Sequence, residues 1–193
     1  MIFLNKINEH DHEELKIGFK VFLHNDNQKF VQEAIDKALA ILKVNSVDDV
    51  IISFRQTQSE DKKDDLGQIQ NVWRALETFV KNEKVKHLGI ADVEENTFRA
   101  IYEWAEIKPS IIQINLATCC VVPPTLQAFC KENDLKLLTH SDPSDILPSE
   151  YVEDIFGKPL TLQWALRFLI HVKCRGVLIT KGYVLKLAKD LVI

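Results

Sequence analysis

The chain has 193 residues, of which 46% are hydrophobic and 27% charged, and its formal net charge is −4. This length suits one domain or two small ones, and the hydrophobic content can supply a sizeable core. The slight acidic excess argues against a dedicated nucleic-acid binder, which needs a basic face. No polybasic stretch suits an anionic membrane, and no apolar run approaches the roughly 20 residues of a bilayer span.

The cysteine content and the first residues indicate the compartment. Four cysteines are too few for a disulfide scaffold in a chain of this length. The opening segment has a short apolar stretch and then turns polar and acidic, unlike a secretory signal. We therefore expect a cytoplasmic protein in a reducing environment.

Short apolar runs alternate with amphipathic stretches along the chain, which predicts alternating strands and helices. The predicted strands are 19–23, 50–54, 86–91, 111–116, 135–139 and 177–180. The predicted helices are 27–43, 68–82, 94–106, about 123–133 and 160–172, with a last helix from about Tyr183. We expect a single domain, 1–193, with a mobile polar loop at 55–67 and an irregular loop region at 141–159.

The β-α-β alternation predicts parallel strands joined by helical crossovers. The strands are continuous apolar runs, as in a sheet covered on both faces. No glycine-rich phosphate motif follows the first strand, which disfavours a nucleotide-binding doubly wound sheet. A (β/α)8 barrel or part of one fits better, although such barrels typically take about 250 residues.

Three segments resemble the aldo-keto reductase superfamily, in the order that the family has them. They are Asn71–Glu77 leading into 85–90, then Lys108–Leu116, and finally Leu162–Phe168 leading into 179–182. The resemblance implies an α/β fold of the (β/α)8 TIM-barrel type. It also implies that this chain begins just before the third barrel strand. We therefore expect an incomplete barrel of about six βα units with the first two strands missing.

A narrower resemblance covers nearly the whole chain. The runs Asn115–Pro124, 137–143 and 172–176 are similar to those of the regulatory (modifier) subunits of glutamate–cysteine ligase. That family is catalytically silent. It binds the catalytic subunit as a heterodimer in glutathione biosynthesis, improves the use of glutamate and relieves feedback inhibition by glutathione. The resemblance thus implies a pseudoenzyme that acts as an enzyme regulator.

The resemblance also allows a test of the reductase alternative. Aldo-keto reductases use a tyrosine acid with a lysine, an aspartate and a histidine, because hydride delivery requires proton delivery to the alkoxide. Here the strand that should end in the lysine ends at Leu23-His24, and the histidine position reads Ser53-Phe54. Gln113 and Lys181 remain as a weak residual NADPH pocket, although a satisfied interior amide and a surface lysine are the simpler interpretations. We expect no cofactor and no metal.

The partner-binding residues are predicted on the loops that follow the strands, where functional loops of barrels cluster. The candidates are Cys119, Cys120, Val121, Val122, Pro123, Pro124, His140, Asp142 and Pro143. Adjacent cysteines make a poor metal chelate, so Cys119 and Cys120 are buried small hydrophobes, partner-facing thiols or a redox switch. Cys130, Cys174, Trp73, Trp104 and Trp164 are expected to be packing residues. The remaining alternatives are a reductase with a rearranged site and a non-functional short isoform.

Overall fold

The computed structural model describes residues 14–54, 66–117, 121–158 and 160–189. The strands are β1 (Leu15–Leu23), β2 (Val47–Phe54), β3 (Val85–Ala91), β4 (Ile111–Asn115), β5 (Lys136–His140), β6 (Thr161–Val172) and β7 (Val177–Ala188). The helices are α1 (Gln28–Leu42), α2 (Leu66–Lys81), α3 (Glu95–Trp104), α4 (Pro124–Glu132) and α5 (Ser149–Phe156). Five consecutive βα units thus precede the two last strands.

The strands form one seven-stranded sheet in the order β5-β4-β3-β2-β1-β6-β7. Strands β1 to β5 are parallel, as the β-α-β alternation predicts, while β6 is antiparallel to both β1 and β7. The predicted α/β class is confirmed, and the parallel-rich sheet is consistent with an incomplete barrel. No helix in the described ranges is long and apolar enough to cross a membrane.

The main hydrophobic core lies between the helices and one face of the sheet, which we call the outer face. Helix α1 supplies Val31, Ile35 and Leu39, and its first turn is capped by the Asn27 side chain, which accepts a hydrogen bond from the Lys29 amide. Trp73 of α2 is fully buried and donates its indole hydrogen to the Ile107 carbonyl at 3.0 Å. Since each apolar helix stripe meets apolar strand residues, the core fixes which face of each strand turns inward.

The opposite, inner face of the sheet is crowded at its centre. Gly89 of β3 pairs with Ile51 of β2 and Ile111 of β4. A Cβ at position 89 would lie 2.7 Å from the Ile111 Cβ and 3.1 Å from the Ile51 Cγ1. Only glycine fits between these two side chains, and such a close approach is typical of a glycine inside a strand.

The predicted helix 160–172 and the helix from Tyr183 are wrong, because both segments belong to the β6–β7 hairpin. In β6 the alternate residues Trp164, Leu166, Phe168 and Ile170 are buried on the outer face. Four of the six intervening positions, Thr161, Gln163, Arg167 and His171, are polar, so the segment does alternate with a period of two, and the helix prediction overlooked this strand pattern. Only residues 173–176 join the strands, too few for a parallel crossover, so an antiparallel pair forms.

Several smaller expectations also change. The region 141–159 contains α5, which begins after Pro148 and ends at Gly157 in the left-handed conformation, with φ of 64°. Helix α2 begins at Leu66, and residues 55–65 of the predicted mobile loop lie outside the described part of the chain. Trp104 is 37% exposed rather than packed in the core. Its ring lies beside the Arg74 guanidinium, which explains how an aromatic side chain is accommodated at the surface.

Candidate functional site

Five charged or titratable side chains meet on the inner face near the carboxyl ends of the parallel strands. They are Lys20 of β1, Asp92 directly after β3, His140 at the end of β5, Asp142 in the following loop, and Arg167 of β6. We call this group the inner-face cluster. It occupies the end of the sheet where parallel α/β folds place their functional loops.

Asp142 is the centre of the inner-face cluster. Its Oδ2 accepts a hydrogen bond of 2.8 Å from the Lys20 ammonium, and both its oxygens accept hydrogen bonds from the Arg167 guanidinium. The Lys20 side chain is 4% exposed and the Asp142 side chain 11%. The carboxylate therefore compensates two cations in a largely dehydrated setting, where an unpaired charge would be very costly.

His140 joins Asp142 to the second carboxylate. Its Nε2 lies 2.7 Å from the Asp92 Oδ1, and its Nδ1 lies within 3.1 Å of the Asp142 amide, which donates a hydrogen bond to it. The other Asp92 oxygen accepts a hydrogen bond of 2.8 Å from the Ser53 hydroxyl. The His140 Nδ1 also lies 3.0 Å from the Asp142 Oδ2, so the imidazole bridges the two carboxylates.

The charges in the cluster shift the pKa values of its members. Burial raises the pKa of Asp142, but hydrogen bonds from Arg167 and Lys20 outweigh it and lower that pKa to about 2. Burial lowers the pKa of Lys20, against the opposing effect of Asp142. Burial also opposes the charged form of Arg167, yet hydrogen bonds to Asp142 and Tyr183 raise its pKa overall. At neutral pH Asp142 is therefore the stable anion of the site.

The apolar surroundings hold the two cations in place. The Phe22 ring lies between them, 5.3 Å from the Lys20 ammonium and 5.6 Å from the Arg167 guanidinium, measured to the ring centroid. Phe22 is 1% exposed. A buried ring flanked by two cations fixes their side chains and excludes water from the site.

The cluster holds β1, β6 and the loop after β5 together, because Asp142 pairs with Lys20 of β1 and with Arg167 of β6. Each of its carboxylates already accepts hydrogen bonds from other side chains, and the Lys20 ammonium lies between them. Within the described ranges no group of three or more histidine, cysteine or acidic side chains is placed to hold a metal ion. The chemistry that the geometry favours is a compensated ion-pair network.

Comparison with known proteins shows the family to which the chain belongs. The family model of the aldo/keto reductase family matches residues 2–143. The human glutamate–cysteine ligase regulatory subunit is 36% identical over 95% of this chain and 70% of its own length. The mouse protein of the same name is 35% identical over the same shares. The chain belongs to the aldo/keto reductase family, within the family of glutamate–cysteine ligase regulatory subunits.

A solved structure supports the fold alone. An aldo-keto reductase enzyme from a Medee basin deep-sea metagenome library superposes with a TM-score of 0.53 at 18% identity. The match covers 75% of this chain and 53% of that one, so the chain spans about half the length of the solved reductase. This likeness agrees with the incomplete barrel found above.

The structure separates the predicted partner-binding residues into two sets. His140 and Asp142 lie in the inner-face cluster, whereas Val121 is 72% exposed and Pro124 and Pro143 are also exposed. Val122 and Pro123 are half-buried. Cys119 and Cys120 lie outside the described residues. The carboxyl ends of β4 and β5 thus lie side by side at one end of the sheet, with His140 and Asp142 turned inward.

Gln113 and Lys181 lie on strands that are far apart in the order of the sheet. Gln113 lies in β4 and Lys181 in β7, and four strands separate them in the sheet. The Gln113 Oε1 is buried without a described hydrogen-bond donor, so the prediction of a satisfied amide is wrong. Lys181 is an exposed surface lysine, as expected.

Two other cysteines were predicted to pack in the interior. Cys130 of α4 is 2% exposed, and burial raises the pKa of its thiol, so that prediction is confirmed. Cys174 is exposed in the β6–β7 turn, and the prediction is wrong there. The error follows from the misassigned helix, because a turn between antiparallel strands projects into solvent.

Sequence reasoning missed Lys20, Asp92 and Arg167 as site residues. Lys20 stands inside an apolar strand, and Arg167 stands inside an equally apolar run. A single charge within a buried run indicates a buried partner, because isolated charges are rarely buried. That signal was present, but the partner Asp142 is more than 100 residues from Lys20 in sequence.

Proposed function

We propose that this chain is a non-catalytic regulatory subunit that binds the catalytic subunit of glutamate–cysteine ligase in the cytoplasm. In this role it improves glutamate use and relieves feedback inhibition by glutathione. The observation that carries the proposal is the 36% identity to the human regulatory subunit over 95% of the chain. The paired state of the inner-face cluster supports it, since the charged groups at the loop-bearing end hold one another.

The contact surface that we propose comprises the loops after β4 and β5. Exposed Val121, Pro124 and Pro143 supply apolar contacts, with half-buried Val122 and Pro123 beside them. Cys119 and Cys120, which lie outside the described residues, remain contact candidates from the sequence alone. His140 and Asp142 act as positioning residues, because they anchor the β5 loop to β1 and β6 rather than facing solvent. A rigid loop surface of this kind can bind one conformation of a partner in preference to another.

The test mixes the full chain with the catalytic subunit and measures the glutamate KM, glutathione inhibition and co-elution. A coupling of about 1–3 kcal/mol corresponds to a change of about 5- to 150-fold in apparent affinity. We expect Val121→Asp to weaken co-elution, because it places a charge in an apolar contact. The matched control is Ile41→Asp, at a 49% exposed position in α1. Unchanged kinetics together with no co-elution would remove the proposal.

The alternative is an NADPH-dependent reductase with a rearranged site. One observation favours it: burial lowers the pKa of Lys20, and Lys20 lies among acidic groups at the carboxyl ends of the strands, as catalytic lysines do. In that case, carbonyl-dependent NADPH oxidation would occur in the absence of the catalytic subunit and would be lost in Lys181→Ala. A chain without turnover and without nucleotide binding, measured by fluorescence, would exclude this alternative.

A further inference from the structure

Strand β7 is the edge strand of the sheet, and no described strand pairs with its outer side. Its pairing with β6 is regular from Thr180 to Lys186. The register shifts on either side of this segment, at Ile179 of β7 and at Gln163 of β6. We call Thr180–Lys186 the β7 edge segment. Alternate backbone N–H and C=O groups along such an edge point away from the sheet, so the segment can accept an added strand.

The side chains of the β7 edge segment extend the inner face of the sheet. Lys181, Tyr183 and Leu185 pair with Leu169, Arg167 and Ala165 of β6, which places all three on that face. Tyr183 is 47% exposed, Leu185 is 39% exposed, and Lys181 is also exposed. An added strand would therefore meet two large apolar or aromatic side chains next to one cation.

The charge of the surrounding hairpin is of one sign. Residues 160–189 contain six lysine or arginine residues and no aspartate or glutamate. Arg167 is compensated by Asp142, and Lys186 by Glu33 of α1. Lys181, by contrast, forms no ion pair with any residue in the described ranges. The charge therefore favours an acidic occupant, since a carboxylate opposite Lys181 would be stabilising and a second cation would not.

We propose that the β7 edge segment binds an extended, acidic and apolar segment of the glutamate–cysteine ligase catalytic subunit by strand addition. This inference rests on the proposed function and adds a second contact to the loop surface. The main-chain hydrogen bonds supply affinity, while Lys181 selects a carboxylate and Leu185 an apolar neighbour. A second copy of this chain fits poorly, because residues 160–189 of another β7 hairpin contain no acidic side chain to pair with Lys181.

The first experiment compares Lys181→Glu with wild type in binding to the catalytic subunit, measured by isothermal titration calorimetry. Replacing a favourable cross-strand pair with a repulsive one weakens binding by about 3- to 10-fold. Lys131→Glu is the matched control, because Lys131 is an exposed lysine on α4, beside the opposite edge of the sheet. The control is expected to bind as wild type does, and the affinity difference is expected to shrink at high salt.

The second experiment compares Leu185→Ser with Leu178→Ser. Leu178 is 44% exposed but lies beyond the irregularity at Ile179, outside the β7 edge segment. We expect Leu185→Ser alone to weaken binding, with circular dichroism and thermal unfolding reporting the fold of both variants. If Leu185→Ser disrupts the hairpin, the test of the strand-addition site rests on the comparison of Lys181→Glu with wild type.

The outcomes separate this inference from the proposed function. If wild type binds the catalytic subunit and neither Lys181→Glu nor Leu185→Ser weakens that binding, the strand-addition site is wrong. The proposed function as a regulatory subunit is then unaffected. Absence of wild-type binding overturns both. Sedimentation of the chain alone gives a further test. If the chain forms a dimer that Leu185→Ser dissociates, the inference is wrong, because a second copy of the chain then occupies the β7 edge segment.

Discussion

The Asp142 carboxylate and the Lys20 ammonium lie 2.8 Å apart, although β4, β3 and β2 stand between their strands in the sheet. In a flat sheet, four strand spacings of about 4.8 Å would separate β5 from β1 by roughly 19 Å. The sheet must therefore curve so that the loop after β5 reaches across its inner face. The ion pair thus ties the loop after β5, at one edge of the sheet, to the central strand β1 across the inner face.

We expect Asp142→Asn to be strongly destabilising. The change leaves the Lys20 ammonium and the Arg167 guanidinium without their shared anion, while both remain largely buried. Breaking a buried ion pair by removing one partner typically costs about 3–5 kcal/mol. Urea unfolding at neutral pH measures the loss. Asp145→Asn is the control, because Asp145 is exposed and the new amide oxygen can still accept a hydrogen bond from the Leu147 amide. Equal losses of unfolding free energy in the two variants would contradict the stabilising role of the inner-face cluster.

Acid should unfold the protein partly through Asp142. Its pKa is about 2 in the folded protein, below the ordinary 3.8. A carboxyl group with a lowered folded-state pKa contributes stability that is present above its ordinary pKa and is lost as the pH falls through the folded one. From this group we expect a loss of about 2 kcal/mol between about pH 4 and about pH 2.

The measurement is the free energy of unfolding of wild type and Asp142→Asn across that pH range. Glu33 also has a pKa of about 2, mainly because Lys186 and then Lys37 donate hydrogen bonds to it, so wild type alone does not isolate Asp142. The difference in the free energy of unfolding between wild type and Asp142→Asn should become smaller as the pH falls. A constant difference would show that Asp142 is not the titrating group.

Gly89→Ala should destabilise the centre of the inner face. The added methyl group would lie 2.7 Å from the Ile111 Cβ and 2.9 Å from the Ile111 carbonyl oxygen, so the backbones of β3 and β4 must move apart. Overpacking of this kind costs about 1–3 kcal/mol. Gly18→Ala, on the same face with nothing within 4 Å of the position that its methyl group would take, should be neutral or slightly stabilising. Chemical denaturation of the two variants side by side tests the prediction, which fails if they unfold alike.

Glu33→Gln should loosen the β6–β7 hairpin from α1. The Glu33 carboxylate accepts hydrogen bonds from Lys186 of β7 and, at 3.4 Å, from the Trp164 indole of β6. Because the group is partly solvent-exposed, we expect a loss of about 1 kcal/mol at most. Hydrogen exchange should nevertheless quicken in β7. Glu132→Gln on α4 serves as the control, and equal exchange in both variants would argue against this contact.

The sequence predicted the parallel part of the fold because its signals are local. Alternation of apolar runs and amphipathic stretches located β1 to β5 and α1 to α4. The multi-residue motifs also indicated the family correctly. These features depend on neighbours within a few residues, so a pattern along the chain is sufficient to find them.

Only the tertiary structure decided the direction of the last two strands and the composition of the site. Every second residue from Leu162 to Val172 is apolar, a strand pattern that the helix prediction overlooked, whereas the antiparallel pairing with β1 is visible only in the folded chain. Lys20, Asp142 and Arg167 are far apart in the sequence, and the curvature of the sheet brings them together. A charge in an apolar run shows that a partner must exist, but the folded chain alone determines which residue that partner is.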